Sequence, residues 1–259
     1  MRFKINLQIA GSISGTFLPL SYQYPLSAWI YGVIAKGDAA YSAWLHDNGF
    51  LPTETHKQFK LFTFSNLKSD RAKPVGDRLS LLSDRASLYL SFLPEKSTEE
   101  FVKGIFMEKK FSLGDKKSQV HFRVQSIETL PSPIFGDEAI FQTLSPVTVS
   151  VWEGNKQALY ASPDAGNYGE LLTNNLKEKY RGFYQKPFEG GEPFEFTLLS
   201  PIRSKLITIK ANTASETRVR GFLFKFRLKA AKELLKIMYE TGAGEKGSLG
   251  FGMVGVVTR

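Results

Sequence analysis

The apolar residues of this chain run through the same change of period twice, with a proline-rich break between the two rounds. A period of two marks a strand and a period near 3.6 marks a helix, so the order in which the periods change restricts the topology. Arg2 to Ile9 alternates and predicts a strand. Pro25 suits the first turn of a helix, and Leu26, Trp29, Ile30, Val33 and Ile34 then recur at helical spacing. Lys36-Gly37-Asp38 interrupts this pattern, and Ala39 to Leu45 predicts a second short helix that Asn48-Gly49 stops. Lys60 to Ser65, Arg78 to Ser83 and Ser87 to Leu93 read as strands, the last two on either side of a turn at Asp84. Ser97 with Glu100 three residues on has the form of a capping box, and Phe101, Ile105 and Met107 are the expected core face of the helix it opens. Gln119 to Ile127 alternates again.

Pro131-Ser132-Pro133 then reads as a linker. After it come a strand-rich stretch from Ile140 to Trp152, a helix over Leu171 to Tyr184, and strands over Phe194 to Leu199 and Leu206 to Ile209. Arg218 to Lys229 predicts one long strand with a bulge at Gly221. Lys232 to Tyr239 is a helix with Leu234, Leu235, Met238 and Tyr239 on its apolar side, and Phe251 to Val257 closes as a strand. No repeat is visible residue by residue, so the duplication rests on element order. The expected fold is α+β: two tandem ferredoxin-like (βαββαβ) domains, residues 1–130 and 131–259, with a C-terminal glycine-rich loop.

Composition narrows the function classes. Of 259 residues, 42% are hydrophobic and 23% charged, which fits a globular chain and not a disordered one. There is no cysteine, which excludes disulfides, thiolate zinc sites and a cysteine nucleophile. No run of 18 apolar residues spans a membrane, and the alternating N-terminal segment lacks the apolar core of a signal peptide, so a cytoplasmic protein is expected. The formal net charge is +9, and residues 201–259 hold twelve Lys/Arg against four Asp/Glu. A basic excess concentrated in one region points to a polyanion partner, because neutralising phosphates releases counterions; a solvated basic face is the plainer alternative.

Residues 242–252 contain five glycines: Gly242, Gly244, Gly247, Gly250 and Gly252. Such a run lets backbone amides approach a phosphate closely. Gly242-x-Gly244-x-x-Gly247 matches the dinucleotide-binding fingerprint, but it follows a helix where the fingerprint must follow a strand. Ser248 stands where a Walker loop needs lysine. Gly-hydrophobic-Gly, five residues, then Gly-hydrophobic-Gly before a valine-rich strand resembles instead the glycine-rich loop of the RAMP superfamily, the ferredoxin-like RNA-binding proteins of CRISPR systems. The ending Gly250-Phe251-Gly252-Met253-Val254 most resembles the branch of repeat-processing endoribonucleases.

The three histidines, His46, His56 and His121, do not have the spacing of a metal site, so no metal and no cofactor is expected. Metal-free RNA cleavage needs a base for the 2'-OH, an acid for the leaving 5'-oxygen and positive charge for the transition state. Histidine suits the proton transfers and lysine the charge. On its own residues, His46 is also a helix-terminal histidine favoured by the dipole. The resemblance implies that the catalytic histidine lies in this helix–loop region, where His46 stands, and that Tyr31 in the preceding helix and Lys60 before the next strand accompany it. His56 is the rival to His46, Lys57 the rival to Lys60, and His121 reads as an outward-facing strand residue.

Arg218 to Lys229 carries five cations. Lys225, Arg227 and Lys229 share one face of the expected strand, opposite Phe222, Phe224 and Phe226. That basic face, extended by Arg203, Lys205 and Lys210, is the expected phosphate track. Gly242, Gly244, Lys246, Gly247, Gly250 and Gly252 are the expected RNA contacts of the loop. The resemblance implies cleavage of CRISPR precursor RNA within repeats, leaving 2',3'-cyclic phosphate and 5'-OH ends. Repeat RNA is then the partner, with a CRISPR effector complex behind it, and the protein a monomer or homodimer. A non-catalytic repeat-binding subunit and a small-ligand-binding ferredoxin-like protein are the other readings.

Overall fold

The computed structural model describes residues 1–10, 16–52, 57–151, 159–191, 194–211 and 213–257. The first round of elements comprises β1 (Arg2–Ala10), β2 (Thr16–Pro19), α1 (Gln23–Gly37), α2 (Ala39–Asp47), β3 (Phe62–Phe64), β4 (Lys68–Ser69), β5 (Ala72–Val75), β6 (Arg78–Leu81), β7 (Arg85–Phe92), α3 (Glu95–Met107), β8 (Lys110–Gly114) and β9 (Gln119–Leu130). The second comprises β10 (Glu138–Thr143), β11 (Ser150–Val151), β12 (Leu159–Tyr160), α4 (Tyr168–Tyr184), β13 (Glu195–Leu198), β14 (Arg203–Ile209), β15 (Thr217–Leu223), β16 (Lys225–Lys229), α5 (Lys232–Thr241) and β17 (Val254–Val256).

The main sheet of the first round runs β3-β7-β1-β9, and that of the second runs β13-β16-β10-β17. Numbered by their place in a βαββαβ unit, both read 2-3-1-4, and every pairing within them is antiparallel. That is the ferredoxin-like topology expected from element order. Alternation along β1 buries Phe3, Ile5, Leu7 and Ile9 against Leu26, Ile30 and Ile34 of α1 and Phe101 and Ile105 of α3. Helices α1 and α3 approach closely enough that a side chain at Gly104 would run into the Val33 carbonyl. In the second round, Phe141, Phe226 and Leu228 pack with Leu172 and Leu176 of α4 and Leu234, Leu235 and Met238 of α5.

Several expectations change. The strands before and after Asp84 belong to different sheets: β6 pairs with β2 and β5, while β7 joins the main sheet. Helix α3 starts at Glu95 behind Pro94, and Ser97 is buried inside it, hydrogen-bonded to the Tyr41 hydroxyl at 2.6 Å, so it is not the cap. Met107 is 68% exposed, because the core ends at Ile105. Arg218 to Lys229 is two strands. The chain turns at Phe224, whose N–H and C=O both bond Thr143. There β15, paired with β14 in a separate hairpin, gives way to β16 in the sheet. Gly221 marks no bulge in its ladder; a Cβ there would lie 2.8 Å from that of Pro146.

The two halves are joined by buried polar contacts. Arg2 on β1 is 3% exposed; its guanidinium donates to the carbonyls of Val254 (2.7 Å) and Tyr239 and stacks over the Tyr239 ring at 3.5 Å. The Thr63 hydroxyl donates to the Phe251 carbonyl at 2.9 Å, and Leu61 and Leu93 of the first round are buried in the second core.

Candidate active site

Asp38 ends α1 and caps α2, accepting the Tyr41 N–H at 2.9 Å. The two helices thereby fold back on each other, and the Ser42 hydroxyl donates to the Tyr31 carbonyl at 2.9 Å. This brings the Tyr31 ring edge-on to the His46 ring, 5.2 Å between centroids at 80°. Helix α2 stops at Asn48, and Gly49 takes φ +65°, a conformation costly for any side chain bearing Cβ. Phe50 and Phe59 then exchange backbone hydrogen bonds of 2.8 and 2.9 Å, which return Lys60 to the end of α2. A Cβ at Gly49 would lie 3.2 Å from the Lys60 ammonium, so glycine here is also what lets the lysine lie against the helix end.

The electrostatics of the three groups differ. His46 is largely exposed, and its Nδ1 meets Asp47 Oδ1 at 2.8 Å. The contact engages Nδ1 and leaves Nε2 facing away from the carboxylate. Tyr31 is half-buried, and desolvation pushes its phenol well above the ordinary value; a hydrogen bond with Ser248 offsets this only in part. It remains a protonated donor at neutral pH. Desolvation lowers Lys60, opposed by the charge of Asp47. The structure therefore brings His46, Tyr31 and Lys60 into one cluster. His56 lies outside the described residues, and Lys57 is paired with Glu178 at 2.9 Å. His121 faces outward on β9, bonded to Ser112.

The glycine-rich loop reaches this cluster from the second half. Ser248 sits on a single 3-10 turn, Gly247–Leu249, and its carbonyl accepts the Ser27 hydroxyl at 2.6 Å. Most of the glycines are built into the fold. Gly242, Gly244, Gly250 and Gly252 are buried and all have φ between +71° and +87°. The amides of Gly242, Gly250 and Gly252 donate to the carbonyls of Met238, Gly247 and Pro146. A side chain at Gly244 would meet the Thr148 carbonyl, and one at Gly250 the Phe64 ring. Glycine is needed in this run because the loop is threaded between two sheets. The exposed part is Lys246, with Gly247 and Ser248 half-buried behind it.

Lys225, Arg227 and Lys229 alternate on β16 with buried Phe226 and Leu228 and so lie on the side away from the helices. Lys229 is paired with Glu195 at 3.2 Å, leaving Arg227 the most exposed of the three. Arg203, Lys205, Lys210, Arg218 and Arg220 are all exposed on or beside the β14–β15 hairpin.

Sequence reasoning missed Lys179. It is fully buried in α4, donates to the Gly242 carbonyl at 2.6 Å, and is pushed down to about 7 by burial, with Glu245 opposing. The signal was present: Lys179 continues the apolar stripe of Leu172 and Leu176, where a lysine is out of place. Among the described residues, no group of three or more His, Asp or Glu has the arrangement of a metal site.

Comparison with known proteins decides the family. Residues 17–127 match the family described as CRISPR-associated protein Cas6, N-terminal, and residues 128–256 match CRISPR associated protein Cas6, C-terminal. CRISPR-associated endoribonuclease Cas6 1 of Methanocaldococcus jannaschii is 31% identical over 98% of this chain and 92% of its own length. This chain belongs to the Cas6 family. CRISPR-associated endoribonuclease Cas6 of Pyrococcus furiosus is 28% identical over 99% of this chain and 90% of its own. A solved structure of a Cas6-related protein from Pyrococcus furiosus superposes with a TM-score of 0.84 at 26% identity, covering 99% of this chain and 98% of that one. The paired ferredoxin-like units thus have their counterpart in a known Cas6-type fold. No helix among the described residues is long and apolar enough to cross a membrane.

Proposed function

We propose that this Cas6-family chain cuts CRISPR precursor RNA within its repeats without a metal ion. The 2'-OH beside the scissile phosphate attacks it, the P–O5' bond breaks, and the products carry a 2',3'-cyclic phosphate and a 5'-OH. The observation that carries this reading is the convergence of Tyr31, His46 and Lys60 beside Ser248 of the glycine-rich loop. His46 makes one of the two proton transfers, since it is the exposed imidazole of the cluster. Tyr31, half-buried and protonated, assists the other proton transfer or orients the imidazole by ring contact. Lys60 offsets the charge that builds on the phosphorane-like transition state. Residues 1–130 supply these groups. Residues 131–259 supply the RNA surface, in which Lys246 stands beside the cluster and Lys225, Arg227 and Lys229 with the hairpin cations form the basic track.

The test is cleavage of the cognate repeat RNA by the purified protein in excess EDTA. It is run beside His46→Ala and beside a substrate with 2'-deoxyribose at the cut. Cleavage by the wild type, with a loss of about 10²–10⁴-fold in His46→Ala and none of the deoxy substrate cut, is the expected result. Tight binding by the wild type with no cleavage would identify a repeat-binding subunit instead. Strict dependence on a divalent cation would overturn the mechanism.

A further inference from the structure

Beside the catalytic cluster, a cavity of about 370 Å³ opens between the segment Lys57–Phe62, helix α4 and the glycine-rich loop. Its lining is of mixed charge. Lys60 and Lys246 line it from the segment and loop sides, and both retain some exposure. The remaining second-half lining opposes these cations with an acid and a ring. The Glu245 carboxylate is there, held by the Ser150 hydroxyl at 2.7 Å, with the half-buried ring of Tyr160. Lys179, the one buried cation in the lining, already donates to the Gly242 carbonyl. Lys57, also in the lining, is paired with Glu178, so the cations left to hold a phosphate are Lys60 and Lys246.

Asn175 also lines the cavity. It is 6% exposed, and its side-chain oxygen has no hydrogen-bond partner. A buried amide oxygen left without a donor is uncommon, and its cost is recovered when a ligand supplies the donor. A primary amide both accepts from an exocyclic amine and donates to a neighbouring ring nitrogen, which is the pairing that lets asparagine read a base edge.

We propose that this cavity is a base pocket. It receives one nucleotide adjacent to the cut, takes a base bearing an exocyclic amine, and reads that amine through Asn175, with Tyr160 as its aromatic wall and the nucleotide's phosphate at Lys60 and Lys246. The pocket would fix the register of the RNA so that one phosphodiester lies at His46. The inference rests on the cleavage reading above and assigns the specificity of that same site.

The test uses the full-length protein and repeat RNAs in which each nucleotide within three of the mapped cut is replaced, one at a time, by an abasic ribose that keeps its 2'-OH. Single-turnover cleavage and Kd are measured for the wild type and Asn175→Ala. One position is expected to lose about 10–100-fold when abasic, on the scale of one bound base. Uridine there should lose most of the same factor. In Asn175→Ala that position should become nearly indifferent, so that the two losses do not multiply. The wild-type scan stands by itself if the variant folds poorly, and 2-aminopurine at the sensitive position reports insertion through its fluorescence. A flat scan by a wild type that cleaves normally would overturn the pocket and leave the cleavage reading intact, as would losses that multiply in Asn175→Ala. A wild type that neither binds nor cleaves repeat RNA would overturn both.

Discussion

The two ferredoxin-like units place very different segments between their second helix and last strand. In the first, residues 108–118 form strand β8 and a turn that extends the sheet edge. Lys109, Lys110, Lys116 and Lys117 are exposed, and Asp115 closes the turn by accepting the amides of Lys117 and Ser118. In the second, residues 242–253 run inward between both sheets, bonded to Pro146, Thr148 and, through the Thr63 hydroxyl, to β3. An edge strand tolerates bulky charged side chains because water solvates them. A seam between sheets does not, and so the second connection is built from glycine. The same topological slot is an edge in one unit and a joint in the other, and the joint is what carries Ser248 to Tyr31.

The largest expected effect breaks that contrast directly. Gly252 has φ +80°, and a side chain there would run into the Ala243 carbonyl. Gly252→Ala should cost at least about 2 kcal/mol, since strain and backbone overlap add. Lys117→Ala in the first connection should change stability by less than about 0.5 kcal/mol. Urea titration of both variants checks this, and similar small losses would mean the seam yields easily and the contrast is one of appearance.

Next in size is Arg2, the other polar joint between the units. Arg2→Met keeps the aliphatic stem but leaves the Val254 and Tyr239 carbonyls without their donor and removes the stacking on Tyr239. About 2–4 kcal/mol should be lost, measured by the same titration. A single cooperative transition at lower denaturant would show the units still unfold together. Two separated transitions would show that Arg2 is what couples them.

How much of this was legible follows from what kind of force fixes each part. The paired βαββαβ order was legible because periodicity records burial: β1, β9 and α5 bury the residues their spacing predicts, and α1 does so except for the half-buried Trp29. Strand β2 and the meander it forms with β5 and β6 were not, since β5 is exposed throughout and leaves no apolar stripe to read. The start of α3 was misread because Ser97 has the residue type of a cap and spends its hydroxyl on Tyr41 instead. At the site, Tyr31, His46 and Lys60 entered through resemblance; no spacing rule brings residues 31, 46 and 60 together. Their meeting depends on the Asp38 cap, the Phe50–Phe59 bridge and the space at Gly49. The inward path of the glycine-rich loop depends on the second sheet and was invisible for the same reason.

A smaller, pH-dependent effect sharpens the picture of the joint. Burial depresses Lys179 to about 7, whereas in the unfolded chain a lysine titrates near its ordinary value, roughly 10.4. Between those two values the unfolded state binds a proton that the native state lacks, so stability rises as pH increases through this window. Below about 7 both states hold the proton, and the full cost of the buried charge is felt. The slope contributed is at most about 1.4 kcal/mol per pH unit. Between pH 7 and 9, the wild type should gain about 2 kcal/mol relative to Lys179→Met, read from paired denaturation midpoints. Parallel pH profiles for the two proteins would mean that Lys179 stays charged in the native seam.

The smallest effect concerns the exposed contact between the same two halves. Lys57 and Glu178 pair across them at 2.9 Å, with the lysine side chain 61% exposed and the glutamate 25% exposed. By distance alone this bridge looks as good as the Arg2 contacts. In water, however, both groups are solvated before they meet, and ordering a long lysine side chain offsets most of the gain. Lys57→Ala should therefore cost less than about 1 kcal/mol, and the loss should shrink further in 1 M salt, where screening falls to a few ångströms. Arg2→Met should keep its full cost in that salt, because no counterion reaches a guanidinium that is 3% exposed. If instead Lys57→Ala matched Arg2→Met and resisted salt, the rim would be as much a part of the joint as its buried core. The distinction between solvated edge and dry seam, on which the comparison of the two connections stands, would then fail at the one place where both kinds of contact join the same two units.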